Sequence, residues 1–277
     1  MNDCILLETS NGIATLTLNR PAARNAFDLD MAATLNAQLT RIAGDDSISA
    51  VLIRANGKYF SAGGDIAFFR NAASAQPEEA QAALGHLIDN VHATIERIVN
   101  LRVPVVAAVQ GGAAGFGLSL LAACDLVVAS RDSIFSMAYM NLGATPDGGA
   151  TWLLPRLIGL RQARELILLS DRFSGEDALR LGLIDRLVAP EEVSHTAHAL
   201  ATRLSQGPAQ AQARLKSLLA STFRYTLPEQ LAAEKESFLA SACTDDFREG
   251  LAAFGERRAA RFNAAGITLH PLVDRLD

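Results

Sequence analysis

The chain has 277 residues, 49% of them hydrophobic, so it can bury the core of one main domain with at most a smaller appendage. Its formal net charge of −5 disfavours general nucleic-acid binding, which requires a clustered basic surface. Three cysteines lie far apart without zinc-type spacing, so we expect neither disulfides nor a metal site. No apolar run is long enough to span a bilayer and no signal-peptide pattern is present, which predicts a cytoplasmic protein without a membrane partner.

The first two thirds of the chain alternate between strand and helix patterns. Asn11-Gly12 separates two short apolar segments and predicts a β-hairpin, and Asp28 then begins a helical pattern. Further predicted elements are strands at Ala50, Val103 and Leu126 and a long helix over about residues 78–99. Repeated strand and helix units of this kind predict an α/β domain with a parallel sheet.

The last third of the chain has helix patterns but no strand patterns. Beyond about Val188 the strand patterns stop, and helices are predicted to start near Glu191, Pro208, Pro228 and Thr244. We therefore divide the chain into a core, residues 1–190, and a C-terminal helical region, residues 191–277.

Residues 104–117, PVVAAVQGGAAGFG, carry the first functional signal. Val105–Val109 suits a strand buried on both faces, and the glycine and alanine run after it leads into a helical segment at 118–123. Unpaired backbone N–H groups at such a helix start favour negative charge, for example the oxygen of an enolate. Close packing is the alternative reason for glycines at this junction.

A second strand and glycine turn, residues 60–66 (FSAGGDI), follows the strand at Ala50. The order and spacing of the two turns resemble the enoyl-CoA hydratase/isomerase (crotonase) superfamily, and the resemblance covers nearly the whole chain. It is closest to enoyl-CoA isomerases of the phenylacetate-degradation type. The matching segments are residues 19–26, 60–66, 104–117, 124–125 and 247–254.

The resemblance implies a fold, a ligand and an assembly. The fold would be a crotonase-like spiral of ββα units with a C-terminal helical appendage. The ligand would be an acyl-CoA thioester, with coenzyme A entering as part of the substrate and no separate cofactor. The C-terminal helices would pack against neighbouring subunits in a homotrimer or homohexamer.

The resemblance also implies site residues. Family members hold the thioester oxygen between two backbone N–H groups, which correspond here to Ala62 and Phe116. The residues expected to bind coenzyme A are Arg24, Ala62, Gly63, Gly64, Asp65, Ile66 and Phe116.

The acid/base residue decides which reaction follows. Hydratases of the family carry two glutamates where this chain has Ser119 and Tyr139, and neither replacement is an equivalent base near neutral pH. Asp147 lies nearby, and its segment resembles the isomerases, although an aspartate before a helix start can also be a helix cap. The resemblance implies that Asp147 shifts a double bond and so converts 3-enoyl-CoA to 2-enoyl-CoA. A substrate of the ring-1,2-epoxyphenylacetyl-CoA type is also compatible with it. Hydrophobic neighbours would raise the pKa of its carboxylate by desolvation.

Three alternatives remain open at this point. Hydration on the same scaffold is one of them. Dehalogenation or hydrolysis is another, because His92, Tyr139 and Asp147 resemble the layout of chlorobenzoyl-CoA dehalogenases, in which the aspartate is a nucleophile and the histidine activates water. A non-catalytic acyl-CoA binder is the third.

Overall fold

The computed structural model describes residues 3–263 and contains two β-sheets. The strands in this range are β1 (Ile5–Ser10), β2 (Ile13–Leu18), β3 (Ala50–Ala55), β4 (Val105–Val109), β5 (Gly112–Ala114), β6 (Leu126–Ser130), β7 (Ile134–Ser136), β8 (Phe173–Ser174) and β9 (Arg186–Val188). The larger sheet has the order β1-β2-β3-β4-β6-β9, and all its pairs are parallel except β1 with β2. The smaller sheet has the order β5-β7-β8.

Helices connect the parallel strands and dominate the C-terminal third. Within the described range they are α1 (Leu29–Ala43), α2 (Ile66–Ala73), α3 (Pro77–Asn100), α4 (Phe116–Ala123), α5 (Ala150–Ile158), α6 (Leu160–Leu169), α7 (Gly175–Leu181), α8 (Val193–Ser205), α9 (Ala209–Ser221), α10 (Leu227–Ala242) and α11 (Asp245–Glu256). Helices alternating with parallel strands make this an α/β fold, as the sequence predicts.

Local signals explain where the first elements begin. Asn11 and Gly12 both have positive φ angles, 51° and 75°, and they form the two-residue turn between β1 and β2. The Asp28 side chain accepts a hydrogen bond from the Met31 N–H at 2.9 Å and so caps α1. The predicted hairpin and the predicted helix start are both confirmed.

Strand β4 is buried on both faces, as its unbroken apolar sequence predicts. Val105, Ala107 and Val109 face the main core, whereas Val106 and Ala108 face a second, smaller core. Helix α8 contributes much of that second core. The sheet therefore needs helices on both sides, and one of them comes from the C-terminal third.

The region after residue 190 is helical, as predicted, but α8 packs differently from the later helices. Its Ala197, Leu200 and Ala201 are buried against the sheet, so α8 belongs to the core by its packing. That α9 to α11 form a separate C-terminal region stays a prediction. Residues 264–277, the end of the predicted region, lie outside the described range. Within residues 3–263, no helix is long and apolar enough to cross a membrane.

Candidate active site

The two glycine turns pack directly against each other. The Ala114 N–H donates to the Ser61 carbonyl at 2.9 Å, which joins the second turn to β5. A Cβ atom added to Gly63 would lie 2.7 Å from the Ala114 carbonyl oxygen, and one added to Gly117 would lie 2.8 Å from Ser61 Cβ. Only glycine permits this approach, and the φ of 89° at Gly63 is a second reason for glycine there. Close contact between the turns therefore places their backbone groups together.

The N–H group of Ala62 is already bonded within the protein. It donates to the Arg24 carbonyl oxygen at 3.0 Å, and Arg24 has a left-handed backbone conformation with a φ of 53°. The Gly63 N–H donates to Ser61 Oγ at 3.1 Å. Because its hydrogen is used internally, Ala62 is a poor candidate for the predicted thioester contact.

The N–H group of Gly64 is the open one in this turn. The Phe27 N–H donates to the Gly63 carbonyl at 2.7 Å, and the Asp65 N–H donates to the Phe27 carbonyl at 2.9 Å. In this parallel pairing, the N–H and carbonyl of Gly64 point away from Phe27. Among residues 3–263 the Gly64 N–H has no acceptor. We therefore move the predicted donor from Ala62 to Gly64.

Phe116 supplies the second open N–H group. It is the first residue of α4, where backbone N–H groups have no intrahelical partner, and in the described part of the chain no other acceptor meets it. Gly115 precedes it with a φ of 51°, and a Cβ atom added there would lie 3.7 Å from Gly63 Cα. The start of α4 therefore lies beside the second turn, and its partial positive charge favours an anion.

The Phe116 side chain links this helix start to the Asp147 loop. Its ring packs edge-on against Phe27, with 4.8 Å between the ring centroids. A Cβ atom added to Gly148 would lie 2.6 Å from Phe116 Cδ2, so glycine at 148 lets the loop lie on the ring. Asp147 is consequently held next to the residue that supplies the second N–H.

The Asp147 carboxylate is not a helix cap. Helix α5 begins at Ala150, its cap residue is Gly149, and no side chain caps it. Instead, Asp147 Oδ1 accepts a hydrogen bond from the Tyr139 hydroxyl. The buried Ser119 hydroxyl donates to the Asp147 backbone carbonyl at 3.3 Å. The two residues that stand at the hydratase glutamate positions thus both contact Asp147.

Burial raises the pKa of the Asp147 carboxyl group above its usual range, in the direction expected from its apolar surroundings. The Tyr139 hydrogen bond and the charge of His92 act in the opposite direction. Burial and the negative charge of Asp147 raise the pKa of Tyr139 above its usual range, so its hydroxyl stays protonated and donates.

Asp147, Tyr139 and Ser119 form a corner of the site, and His92 lies at its solvent edge. It is exposed on α3, one turn before Ile95, and Ile95 Cγ2 lies 3.4 Å from the position of a Cβ atom added to Gly149. Its helix face is therefore the one that packs at the start of α5. His92 is a surface residue whose charge reaches Asp147.

The residues predicted for coenzyme A binding have mixed roles. Asp65 caps α2 by accepting from the Ala67 N–H at 2.8 Å, and it pairs with Arg20 at 3.0 Å. Arg20 also pairs with Asp28 at 2.9 Å, so this arginine holds the turn internally. Ile66 is exposed at the start of α2.

Arg24 and Ala62 both line a groove of about 680 Å³. The Arg24 guanidinium and the Lys58 ammonium lie 5.6 and 5.7 Å from the centroid of the Tyr59 ring. Arg172 and Asp132 line the same groove, so its lining has three positive side chains and one negative side chain. The groove has the charge to accept a phosphate-bearing ligand.

Comparisons with known proteins agree with this geometry. The family model for enoyl-CoA hydratase/isomerase matches residues 8–265. The chain is 35% identical to the 1,2-epoxyphenylacetyl-CoA isomerase of Escherichia coli, covering 95% of this chain and 99% of that protein. It is 34% identical to the crotonyl-CoA hydratase of Syntrophomonas wolfei, covering 93% and 97%. The crystal structure of an enoyl-CoA hydratase from a Polaromonas species superposes with a TM-score of 0.87 at 31% identity, covering 93% and 99%.

The fold and the paired turns define a crotonase-type enzyme. The chain belongs to the enoyl-CoA hydratase/isomerase family. Its relatives include both isomerases and hydratases at almost the same identity, so overall similarity does not distinguish these two reactions.

Proposed function

We propose that the protein is an acyl-CoA isomerase that moves a double bond between the β,γ and α,β positions of a thioester. The observation that carries this proposal is a single carboxylate, Asp147, at the corner where hydratases would have two. Ser119 and Tyr139 offer no second base, and both are hydrogen-bonded to Asp147. One carboxylate is sufficient for isomerisation, because the same proton is removed and returned.

The proposed reaction is a balanced proton transfer. Asp147 takes the proton from the α carbon of a 3-enoyl thioester, and the electron pair spreads into the carbonyl as a dienolate. The N–H groups of Gly64 and Phe116 stabilise the negative oxygen. Asp147 then returns the proton to the γ carbon, and the new double bond lies between the α and β carbons. No water and no redox partner is consumed.

The raised pKa of Asp147 supports this role. A carboxylate near its usual pKa is a weak base at neutral pH, whereas burial makes its ionised form more basic. It also makes the neutral acid a stable intermediate state between the two transfers. The proton can therefore stay on Asp147 until the γ carbon is in reach.

The ligand and the assembly form part of the same proposal. Arg24 and the turn from Ala62 to Ile66 would bind the coenzyme A portion, with no separate cofactor. The homotrimer or homohexamer is proposed because α9 to α11 expose large apolar side chains. The most exposed of them are Leu219, Phe223, Leu227, Phe238, Leu251 and Phe254. Light scattering of the purified protein measures the assembly directly.

The test is the isomerisation rate of Asp147→Asn with a panel of 3-enoyl-CoA esters and 1,2-epoxyphenylacetyl-CoA. Loss of the transferring base should lower kcat by at least about 100-fold. The exposed Asp171 provides a matched control, because Asp171→Asn makes the same chemical change outside the corner. Equal rates for parent and Asp147→Asn would show that another group moves the proton.

A second candidate is displacement followed by hydrolysis, and the observation that favours it is that the charge of His92 lowers the pKa of Asp147. In that reaction Asp147 would be a nucleophile and water would supply an oxygen atom. Turnover in ¹⁸O-labelled water separates the two candidates. Isomerisation leaves the product unlabelled, whereas hydrolysis or hydration incorporates the label.

A further inference from the structure

We propose that Tyr139 is a positioning residue that fixes the Asp147 carboxylate and leaves one of its oxygens, Oδ2, for the substrate. The arrangement itself is independent of the reaction, whereas its catalytic consequence rests on the proposed isomerase function. Tyr139 does not need to touch the substrate for this role.

Hydrogen bonds hold the backbone of Tyr139 on both sides. Its N–H donates to the Met137 carbonyl at 2.8 Å, and its own carbonyl accepts from the N–H groups of Leu142 at 2.9 Å and Ala144 at 3.1 Å. This makes a tight turn around Tyr139. The hydroxyl therefore approaches Asp147 from a rigid base.

The ring of Tyr139 lies between the two functional regions. Its Cε2 atom is 4.0 Å from the position that a Cβ atom of Gly115 would occupy, at the start of α4. Its hydroxyl reaches Asp147 Oδ1 at the other end. Tyr139 thus ties the position of the carboxylate to the position of the open Phe116 N–H.

Asp147 needs such an anchor because two glycines follow it. Gly148 and Gly149 have φ angles of 58° and 72°, and glycine leaves the backbone many alternative conformations. The Ser119 hydroxyl holds only the Asp147 backbone carbonyl. Of the carboxylate oxygens, Oδ1 has the Tyr139 hydroxyl, and Oδ2 has no side-chain donor within residues 3–263. The Tyr139 bond therefore occupies Oδ1 and, in the described part of the chain, leaves Oδ2 without a side-chain donor.

Two consequences follow for a proton-transferring carboxylate. A fixed Oδ2 keeps its approach to the α and γ carbons constant, and small displacements of a reacting group cost rate. The hydroxyl also stabilises the ionised carboxylate against burial. The groups facing Asp147 are Tyr139, Ser119 from α4 and His92 from α3.

The kinetic test is Tyr139→Phe, which removes one oxygen atom and keeps the ring. We expect kcat to fall by about 10-fold, as for loss of one hydrogen bond to a charged group, with KM nearly unchanged. The acid limb of the pH–rate profile should move to higher pH. Tyr225 lies in the loop before α10, and Tyr225→Phe is the matched control. An unchanged kcat and pH profile would overturn the proposal.

A readout that needs no activity separates this proposal from the proposed function. The ¹³Cγ resonance of Asp147, assigned by its loss in Asp147→Asn, reports the titration of this carboxyl group. Its midpoint should rise in Tyr139→Phe, and the rise should persist when His92→Gln is present in both proteins. A midpoint that does not move would contradict the anchor, whatever reaction the protein catalyses.

The double variant tests whether Tyr139 acts only through Asp147. Adding Tyr139→Phe to Asp147→Asn should leave the residual rate unchanged, because the carboxylate to be positioned is gone. A further 10-fold loss would show that the hydroxyl acts on the substrate itself. That result would overturn a positioning role while leaving the isomerase proposal intact.

Discussion

The paired glycine turns and the Asp147 corner lie side by side but are built in different ways. The turns present backbone N–H groups, and their positions depend on close contacts that only glycine allows, at Gly63 and Gly117. The corner depends on side chains, namely Asp147, Tyr139 and Ser119. We therefore propose that the turns bind the thioester oxygen and that the corner determines the reaction.

This difference explains why relatives with different reactions are equally similar to the chain. The E. coli isomerase and the S. wolfei hydratase match at 35% and 34% identity over nearly the full length. A shared scaffold dominates such a comparison. In our proposal the reaction depends on a few side chains at the corner, which contribute little to the overall identity.

The largest effect should come from adding one carbon atom to the turns. In Gly63→Ala the new Cβ would lie 2.7 Å from the Ala114 carbonyl oxygen, so the two turns must separate. We expect activity to fall by at least about 100-fold, because both open N–H groups lose their alignment. A steady-state assay and urea unfolding measure the loss of activity and of stability.

Gly182 offers a matched control for Gly63. Its φ of 79° is similar to the 89° of Gly63, but a Cβ atom there would meet nothing within 4 Å. Gly182→Ala should therefore cost only the backbone strain, about 1–3 kcal/mol, with little change in kcat. If both variants lost activity equally, close contact between the turns would not be the cause.

A smaller effect is expected from changing a side chain in the turns while keeping its N–H group. Phe116→Leu retains the backbone donor but loses ring contacts with Phe27 and with Gly148. We expect a loss of about 1 kcal/mol of stability and a change in KM larger than the change in kcat. A fall in kcat as large as that of Asp147→Asn would contradict the separation of the two regions.

The smallest predicted effect is on stability at the corner. Burial raises the folded pKa of Asp147 above the usual value for an aspartate, so the folded state binds this proton more tightly than the unfolded state. The free energy of unfolding therefore falls as the pH rises from the usual pKa of an aspartate to the raised pKa of Asp147. At lower pH the stability is retained. Asp147→Asn should melt at a higher temperature than the parent at pH 7, by about 2–4 °C for each kcal/mol released.

Calorimetry over a range of pH values checks whether ionised Asp147 destabilises the folded protein. The difference in Tm between Asp147→Asn and the parent should vanish below about pH 3, where both carry a neutral side chain. Asp171→Asn, at an exposed position, should show no such pattern. If Asp147→Asn instead melted at a lower temperature than the parent at pH 7, Asp147 would be stabilising in its ionised form.

The sequence predicts elements that local physics determines. The Asn11-Gly12 turn, the Asp28 cap and the doubly buried β4 all depend on neighbouring residues, and all three agree with the structure. The family and its α/β fold are also confirmed. The role of α8 is not predictable in this way, because its contacts with the sheet are distant in sequence.

The candidate site also depends on contacts that cannot be predicted from the sequence. The sequence alone cannot show that the Ala62 N–H is bonded, because its acceptor is the carbonyl of Arg24 in a left-handed conformation 38 residues earlier. Arg20 forms ion pairs with Asp28 and with Asp65, and the second of these joins residues 45 positions apart. The bond between Tyr139 and Asp147 depends on the turn that brings them together. Contacts between residues that are distant in sequence therefore decide which groups are free to bind a ligand and which groups support the structure of the site.

In the proposed isomerase, one carboxylate moves a proton from the α to the γ carbon of a bound thioester. The most direct measurement follows 3-enoyl-CoA carrying deuterium at the α carbon, with the product analysed by NMR. We predict 2-enoyl-CoA with part of the deuterium at the γ carbon, and loss of this transfer in Asp147→Asn. A 3-hydroxyacyl-CoA product containing solvent oxygen, or no turnover by the parent protein, would contradict the account.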